Sequence, residues 1–405
     1  MNRVLTCIYD MMVNPCSYDF FTFLISAEIC RIRRNLSEIK LIFVQGPNNK
    51  FRDDKLRSAE QNKVFFENVI IPGLSLLPSC ESFSWINRCE LKIDGLGENN
   101  LFPRSYNPRL PSNDYAGGYL VASHLRGDDT AIFQAPTYAV DFVQNFLRNK
   151  LSNEKFVTLT VREINRDNNN NTRSLNIEVW QGVIDKLRKE KIDTIIIRDT
   201  FFAHDKPLFK GAIEVPEASI HLPFRTALYE GSVVNFTKNN GPAIINLHGR
   251  NDAVYFNQFD NDVGPLSEAF YHGTLGMAHG SQFPMTRKNK TVIWNAENKD
   301  IILSRVRTSL ANSVDFDTKP HTLTLKQKYL SLAPATRSFF QGLHGGEILQ
   351  EDIDLYIELI RIFDQWKVSP SLDQLLAAYA QKRGSNKLII NNLIELAKKE
   401  KKMVS

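Results

Sequence analysis

The chain is poor in cysteine and in long apolar runs, and both scarcities limit what it can be. It has only five cysteines, an odd number without metal-ligand spacing: Cys7, Cys16, Cys30, Cys80 and Cys89. This usage is typical of a reduced, cytoplasmic protein. No uncharged apolar run reaches about 18 residues, so no segment is predicted to span a membrane. The N-terminal residues lack an apolar core followed by a small-residue cleavage site, so we expect no signal peptide.

The short motifs of several enzyme classes are also missing. There is no HExxH, no CxxC and no Asp-rich loop for a metal, and no GxSxG elbow or Walker loop for acyl-transfer or P-loop chemistry. No GxGxxG follows the first predicted strand, which counts against a plain NAD enzyme. The net charge of +5 is mild and no basic stripe is interleaved with aromatic residues, so we expect no nucleic-acid partner.

The length and the order of the segments favour two α/β domains. A chain of 405 residues is long for one core and suits two domains. In the first part, apolar runs that predict strands alternate with helical spacing, which is typical of a parallel sheet covered by helices on both faces. The predicted strands are Val4–Tyr9, Ile39–Val44 and Val69–Pro72; the predicted helices are Phe20–Arg34, one that begins at Phe51, and Pro136–Lys150.

The same alternation starts again after residue 150. It predicts strands at Phe156–Val161, Thr194–Ile197 and Thr291–Trp294 and a helix at Asn176–Lys189. From about residue 322 the pattern is helical. We therefore expect an N-terminal Rossmann-like domain over 1–150, a second over 151–321 that faces it, and C-terminal helices over 322–405 that pack on both. The last helix, Leu388–Lys402, is packed in the core, rests on an anionic membrane surface or joins to another module.

One segment, Arg225–His248, predicts a binding turn. It indicates a helix, a short strand over Val233, Val234 and Phe236, a tight Asn-Asn-Gly-Pro turn and a second helix with Pro242 in its first turn. Free backbone N–H groups at such a helix start attract anions, and Gly241 would let a ligand approach the backbone. The alternative is an ordinary turn that links a strand to a helix.

Polar residues gather where the predicted strands end, which is where open α/β sheets bind ligands. Arg162 beside Glu163 suggests a phosphate clamp next to a carboxylate able to do acid–base work, or two charges that pair in solvent. Glu230 is either a second site carboxylate or a charge on a helix surface. His279, in the Gly-rich loop 276–284, either contacts a nucleotide phosphate or is satisfied by the backbone. The residues at the strand ends are Asp10, Arg162, Glu163, Arg198, Asp199, Asn239, Asn240 and Gly241.

These segments resemble the GT-B class of glycosyltransferases. RTALYEGSVVNFTKNNGPAIINLH is similar to the donor-binding helix–strand–turn–helix unit of heptosyltransferase-like and fucosyltransferase-like enzymes, and KFVTLTVREINRD resembles the strand that opens their donor domain. IYDMMVNPCSYDFFTFLISAE, FVQGPNNKFRDD and VIIPGLSLLPSC look like a bacterial group from surface-polysaccharide clusters. Among specific families the chain most resembles the retaining β-Kdo transferases, which use CMP-β-Kdo. The fucosyltransferase-type HxRRxD motif is absent, because Thr160-Val161-Arg162-Glu163 stands in its place.

The resemblance implies a glycosyltransferase that acts on a bacterial surface polysaccharide. Its partners would be a nucleotide-sugar donor and a glycan or lipid-linked glycan acceptor, in the cytoplasm or peripherally on the inner membrane face. No cofactor or metal is expected, so helix N-termini and arginines would stabilise the leaving phosphate. A sugar-nucleotide epimerase on the same fold and a non-catalytic glycan- or nucleotide-binding protein are the alternatives.

The resemblance also implies roles for particular residues. Glu163 would be the leading catalytic carboxylate, with Glu230 or Asp199 as a second. Two carboxylates would suit retention of configuration, and a single base would suit inversion. The donor would be bound by Arg162, Arg225, Asn239, Asn240, Gly241, His279, Ser281 and Gln282, and the acceptor by Asp10, Asn14 and Arg52.

Overall fold

The computed structural model describes residues 4–53, 57–93, 95–104, 106–111, 117–163, 175–257, 259, 266–275, 277–287 and 289–311. The helices predicted from residue 322 onward lie outside the described residues. So does the polar loop 165–171, which contains four consecutive asparagines. Within the described part, no helix is long and apolar enough to cross a membrane.

The first part of the chain forms a four-stranded, all-parallel sheet. Its strands are β1 (Val4–Asp10), β2 (Glu38–Val44), β3 (Cys80–Ile86) and β4 (Leu101–Phe102), in the order β3-β2-β1-β4. Its helices are α1 (Asp19–Arg33), α2 (Ala59–Phe65), α3 (Ile71–Gly73), α4 (Gly117–Leu125) and α5 (Thr137–Lys150). The strands at the centre of this sheet are almost wholly buried, as their apolar sequences require.

Two predictions for this half are wrong. The third strand is Cys80–Ile86, whereas Val69–Pro72 lies in helical turns. A short apolar run fits a buried helix as well as a buried strand, so its periodicity did not separate the two. The helix predicted to start at Phe51 starts at Ala59 instead. There the Ser58 side chain accepts a hydrogen bond from the Gln61 N–H, and the Gln61 side chain accepts one from the Ser58 N–H.

The second part forms a six-stranded, all-parallel sheet in the order β10-β9-β8-β5-β6-β7. Its strands are β5 (Lys155–Thr160), β6 (Ile192–Ile197), β7 (Ile213–Glu214), β8 (Asn235–Lys238), β9 (Ala253–Phe256) and β10 (Lys290–Ile293). Its helices are α6 (Ile177–Lys189), α7 (Pro216–Ile220), α8 (Leu222–Gly231), α9 (Ala243–His248), α10 (Glu268–Phe270) and α11 (Lys299–Ala311). β7 and β9 were not predicted, and β8 begins two residues after the predicted apolar start at Val233.

The two sheets share buried apolar surface. One core cluster runs from α1 of the first half to α8 and α9 of the second, and Phe21, Phe133 and Leu228 all belong to it. The rings of Phe142 on α5 and Phe224 on α8 stack with their centroids 4.1 Å apart. The predicted α/β class, with two facing Rossmann-like sheets, is thereby confirmed. The boundaries at residues 150 and 321 stay predictions.

Candidate functional site

A cleft of about 350 Å³ lies between the two halves, beyond the carboxyl ends of the parallel strands. Open α/β sheets bind ligands at this position, and the volume is at the small end of the range of ligand sites. The first half contributes Ser17, Tyr18, Asp19, Arg57, Gln61 and Phe65. The second half contributes Arg162, Glu163, Asp199, Thr200, Phe201, Phe202, Gly241 and Pro242. Four predicted site residues, Arg162, Glu163, Asp199 and Gly241, therefore come together here.

Glu163 is held on both carboxylate oxygens by one arginine. Arg198, which directly follows β6 and whose side chain is 1% exposed, donates from Nη2 to Oε1 at 2.5 Å and from Nε to Oε2 at 2.8 Å. The guanidinium also donates from Nη1 to the Lys206 carbonyl at 2.8 Å and lies 3.6 Å from a Glu214 oxygen. A bidentate arginine–carboxylate pair of this kind is rigid and charge-assisted. The geometry thus favours a positioning role for Glu163 over proton transfer.

Asp199 is a second carboxylate in the cleft, and it is hydrogen-bonded to the backbone of Glu163. The backbone N–H of Glu163 donates to Asp199 Oδ2 at 2.8 Å. Burial raises the pKa of the Asp199 carboxyl, against the opposing effects of that hydrogen bond and of the Arg162 and Arg225 charges. A carboxyl with a raised pKa in a cleft is suited to give or take a proton.

Two arginines line the cleft from opposite sides. Arg162 follows β5 in the second half, and its charge acts on Asp199. Arg57 precedes α2 in the first half, donates from Nη1 to the Cys16 carbonyl at 2.7 Å, and holds its guanidinium 4.4 Å from the centre of the Phe65 ring. Guanidinium groups at both walls can bind phosphate or carboxylate oxygens of a ligand between them.

The Asn-Asn-Gly-Pro turn reaches the cleft, but not in the way the sequence suggested. The first N–H groups of α9 are occupied: that of Ala243 donates to the carbonyl and side-chain oxygens of Asn240, and that of Ile244 to the Gly241 carbonyl. The predicted free N–H groups at the helix start are therefore not those of Ala243 and Ile244, because the Asn240 side chain and the tight turn satisfy these two donors locally. The surface of Gly241 is covered by Tyr18 of the first half, since a Cβ built on Gly241 would lie 2.5 Å from Tyr18 Cδ2.

Arg225 lies behind the cleft wall rather than among its lining residues. It is 1% exposed and donates to the carbonyls of Ala218 and Arg198 at 2.8 and 3.1 Å. Its Nη1 donates to the Tyr18 hydroxyl at 3.2 Å, across the junction between the halves. The described hydrogen bonds of Arg225 are thus all to other residues of the protein. Its predicted role in donor binding would therefore be indirect, through the residues that it positions.

Four predicted donor-binding residues form a separate group near the ends of β8 and β10. Asn239 donates to the Tyr271 hydroxyl at 3.0 Å, Gln282 bonds the backbone of Val292, and the Ser281 carbonyl accepts from the Trp294 indole. The His279 ring lies 5.1 Å from the Trp294 ring, centre to centre. None of the four is among the lining residues of the cleft, and their binding roles stay predictions.

Glu230 is placed away from the cleft, in a buried junction that we call the seam: Thr130, Ala135, Glu230, His248 and Lys290. Its Oε1 accepts from the Ala135 N–H at 2.8 Å. Burial raises the pKa of Glu230 to about 7, and the Arg250 and Lys290 charges oppose that shift. The structure therefore does not bring Glu230 together with Glu163 and Asp199, and Glu230 joins the two halves instead.

The predicted acceptor residues lie beside β1. Asp10 is buried and accepts from Arg88 at 2.6 Å and from the Tyr106 hydroxyl at 2.7 Å. Asn14 is buried and donates its N–H to the Asp10 carbonyl, and Arg52 donates to the Val13 carbonyl. These contacts stabilise the loop after β1, and acceptor binding by these residues stays a prediction.

Tyr18 and Arg57 were not singled out from the sequence. The rule that ligands bind beyond strand ends points to the loop after β1, which contains Tyr18. Tyr18 directly precedes an apolar helix, however, and resembles a core residue. Arg57 lies in a charge-rich stretch of ordinary appearance. Among the described residues, no group of three or more His, Cys, Asp or Glu side chains could hold a metal ion.

Neither a family model nor a curated protein sequence matches the chain. Solved structures do resemble it. A glycosyl transferase family 9 protein from Veillonella parvula has 9% identity and a TM-score of 0.44, over 83% of this chain and 98% of that one. The E. coli ADP-heptose LPS heptosyltransferase II has 9% identity and a TM-score of 0.40, over 76% and 97%. With such low values, these similarities assign neither activity nor site residues.

Proposed function

We propose that the chain is a glycosyltransferase of the GT-B type, which binds a nucleotide-sugar donor in the cleft between its two sheets. The observation that carries this proposal is the set of groups around the cleft: Arg57 from one half, and Arg162 with Asp199 from the other. Two arginines suit the phosphate of a sugar nucleotide and the negative charge that develops on it as the glycosidic bond breaks. A carboxyl of raised pKa beside them suits proton transfer with the acceptor hydroxyl.

The donor that we propose is CMP-β-Kdo, and the acceptor a growing bacterial surface polysaccharide. This donor carries two negative charges, one on its phosphodiester and one on the sugar carboxylate, and two arginines from opposite walls can pair with both. Both oxygens of Glu163 are bound to Arg198, so Asp199 takes over as the leading acid–base residue. A second carboxylate would suit retention of configuration, and Asp19 lines the same cleft from the first half.

Thermal unfolding of the full chain in the presence of CMP, GDP, UDP and ADP tests the proposal. A ligand at 100 times its Kd adds about 2.7 kcal/mol to the free energy of unfolding, which raises Tm visibly. We expect CMP to give the largest shift. A shift with another nucleotide alone would overturn the Kdo donor and keep the class of enzyme. No shift with any of the four would contradict the glycosyltransferase.

Two further measurements separate the other classes. An epimerase would release free nucleotide from its sugar nucleotide without an acceptor, whereas a transferase requires one. A non-catalytic binding protein would keep its ligand affinity and its role after Asp199→Asn, whereas the proposed enzyme would lose transfer. Product analysis by mass spectrometry, with and without an oligosaccharide acceptor, distinguishes these outcomes.

A further inference from the structure

Tyr18 is a residue of the first half that rests on the turn of the second. It lies directly before α1, and its ring covers Gly241 so closely that a Cβ there would be 2.5 Å from Cδ2 and 3.0 Å from Cβ and Cγ of the tyrosine. Only a residue without a side chain allows this approach. Gly241 therefore serves the contact between the two halves, in addition to any contact with a ligand.

Neighbouring side chains fix the orientation of the Tyr18 ring. Phe65 packs edge-on against it with the ring centres 5.3 Å apart, and Phe21 lies 5.9 Å away. The hydroxyl is held from the second half, because Arg225 Nη1 donates to it at 3.2 Å. The tyrosine thus spans the junction, with its ring on Gly241 and its oxygen on a buried arginine.

The hydroxyl hydrogen of Tyr18 is left to donate elsewhere. The hydroxyl oxygen is the acceptor in its bond with Arg225, and the described residues present no acceptor for the hydrogen. Burial raises the pKa of the Tyr18 hydroxyl to about 12, so the group keeps its proton at neutral pH. Tyr18 also lines the cleft, together with Arg57 and Arg162. An anionic oxygen held by these arginines would offer the missing acceptor.

We propose that Tyr18 is a ligand-binding residue that the first half supplies across the cleft. Its hydroxyl donates a hydrogen bond to a phosphate oxygen of the ligand, and the packing of its ring on Gly241 holds the two halves at the distance that makes this bond possible. The inference rests on the proposed function, because it takes a phosphate-bearing ligand in the same cleft. It adds that ligand binding depends on contact between Tyr18 and Gly241.

Two variants separate the hydroxyl from the ring contact. Tyr18→Phe removes the hydroxyl and keeps the ring on Gly241. Gly241→Ala keeps the hydroxyl and pushes the ring away. Tyr119→Phe on α4 is the matched control for the first, since Tyr119 is half-buried but does not line the cleft. Gly182→Ala on α6 is the control for the second, since a Cβ there would lie 3.7 Å from its nearest neighbour, the Lys299 side chain.

Isothermal titration with CMP and with inorganic pyrophosphate measures the role of the hydroxyl. We expect Tyr18→Phe to melt somewhat below the wild type without ligand, because Arg225 Nη1 loses an acceptor. We expect it to bind the better of the two probes about tenfold more weakly or worse, as for a lost hydrogen bond to a charged group. Tyr119→Phe should bind like the wild type. Equal binding by Tyr18→Phe and the wild type would overturn the inference and leave the proposed function standing. A wild-type protein that binds neither probe, and whose Tm none of the four nucleotides raises, would overturn both.

Small-angle X-ray scattering of the ligand-free protein measures the ring contact without any ligand. Gly241→Ala should have a larger radius of gyration than the wild type and than Gly182→Ala, because the Tyr18 ring has to leave the turn. If all three radii agree, the contact does not hold the halves together and this part of the inference is wrong. This readout does not depend on the donor, so its failure is distinct from failure of the proposed function.

Discussion

The cleft and the seam both lie where the two halves meet, yet their ionisable side chains differ in how their charges are stabilised. In the cleft, Arg198 and Glu163 form a charged pair, and the Arg162 charge opposes the rise in the pKa of Asp199 that burial causes. In the seam, burial moves each group toward its neutral form. It raises the pKa of Glu230 to about 7 and lowers those of Lys290 and His248 to about 7 and about 4.

The contacts of these groups explain the difference. Seam side chains bond mainly to backbone groups: Glu230 to the Ala135 N–H, His248 to the Thr130 carbonyl and Lys290 to the Asn251 carbonyl. For Glu230 and His248, the single backbone hydrogen bond stabilises the charged form by less than burial destabilises it. A seam of this kind holds the two halves together, whereas in the cleft Arg57 and Arg162 line the space that a ligand can enter.

The largest expected effect is on catalysis in the cleft. Asp199→Asn removes the group that we propose for proton transfer and preserves the acceptor for the Glu163 N–H. We expect transfer to fall by about 100-fold to 10,000-fold, the usual contribution of a general acid or base, with little change in Tm. Steady-state kinetics with the donor identified by thermal shift provide the measurement. Glu230→Gln is the comparison from the seam, and an equal loss of kcat in both variants would end the distinction between the two regions.

The next effect is on the stability of the cleft wall. Arg198→Met leaves Glu163 without its partner, and breaking a buried pair in this way costs about 3 kcal/mol or more. Urea unfolding measures the loss. Arg307→Met is the matched control, because the Arg307–Glu190 pair is exposed and such pairs contribute about 1 kcal/mol or less. A loss as small as that of the control would mean that the Arg198–Glu163 pair contributes little to the fold.

A smaller, pH-dependent effect belongs to the seam. The folded protein binds the Glu230 proton more tightly than the unfolded chain, since the pKa rises from 4.5 to about 7. The stability that Glu230 contributes is therefore full below pH 4.5 and is lost as the pH rises through about 7. Glu230→Gln removes this loss, so the variant should match the wild type at pH 4 and exceed it by about 3 kcal/mol at pH 8.

Urea unfolding at several pH values measures this difference. Glu190→Gln is the contrasting variant, because Arg307 and Lys186 lower the pKa of Glu190. Its contribution is lost as the pH falls, so that variant should lose ground to the wild type at the higher pH. A Glu230→Gln difference that does not vary with pH would show that Glu230 is not titrating in the seam.

The order of strands and helices was largely predictable because periodicity is a local property. Apolar runs ending in polar residues marked β1, β2, β5, β6 and β10, and the helical spacing marked α1, α5 and α6. Short elements were less certain. Val69–Pro72 became helical and Cys80–Ile86 became the third strand, because the choice depends on which neighbours bury each segment.

Part of the cleft was also predictable. Arg162, Glu163, Asp199 and Gly241 all follow strands of one parallel sheet, and parallel strands end at the same edge. The sequence could not show that Glu230 lies outside the cleft, because its position on a helix does not determine which part of the protein its side chain contacts. The structure places it against Ala135, in the seam.

The sequence by itself therefore determined the two α/β halves and the sheet edge, at the carboxyl ends of the strands, where charged residues collect. Strand periodicity and strand ends are properties of short sequence segments. Only the tertiary structure decided that Arg198 occupies both oxygens of Glu163, that Tyr18 covers Gly241 and that Glu230 joins the seam. These contacts join residues far apart in the chain or on opposite halves. Their geometry follows from how the two sheets pack, and no local pattern encodes that.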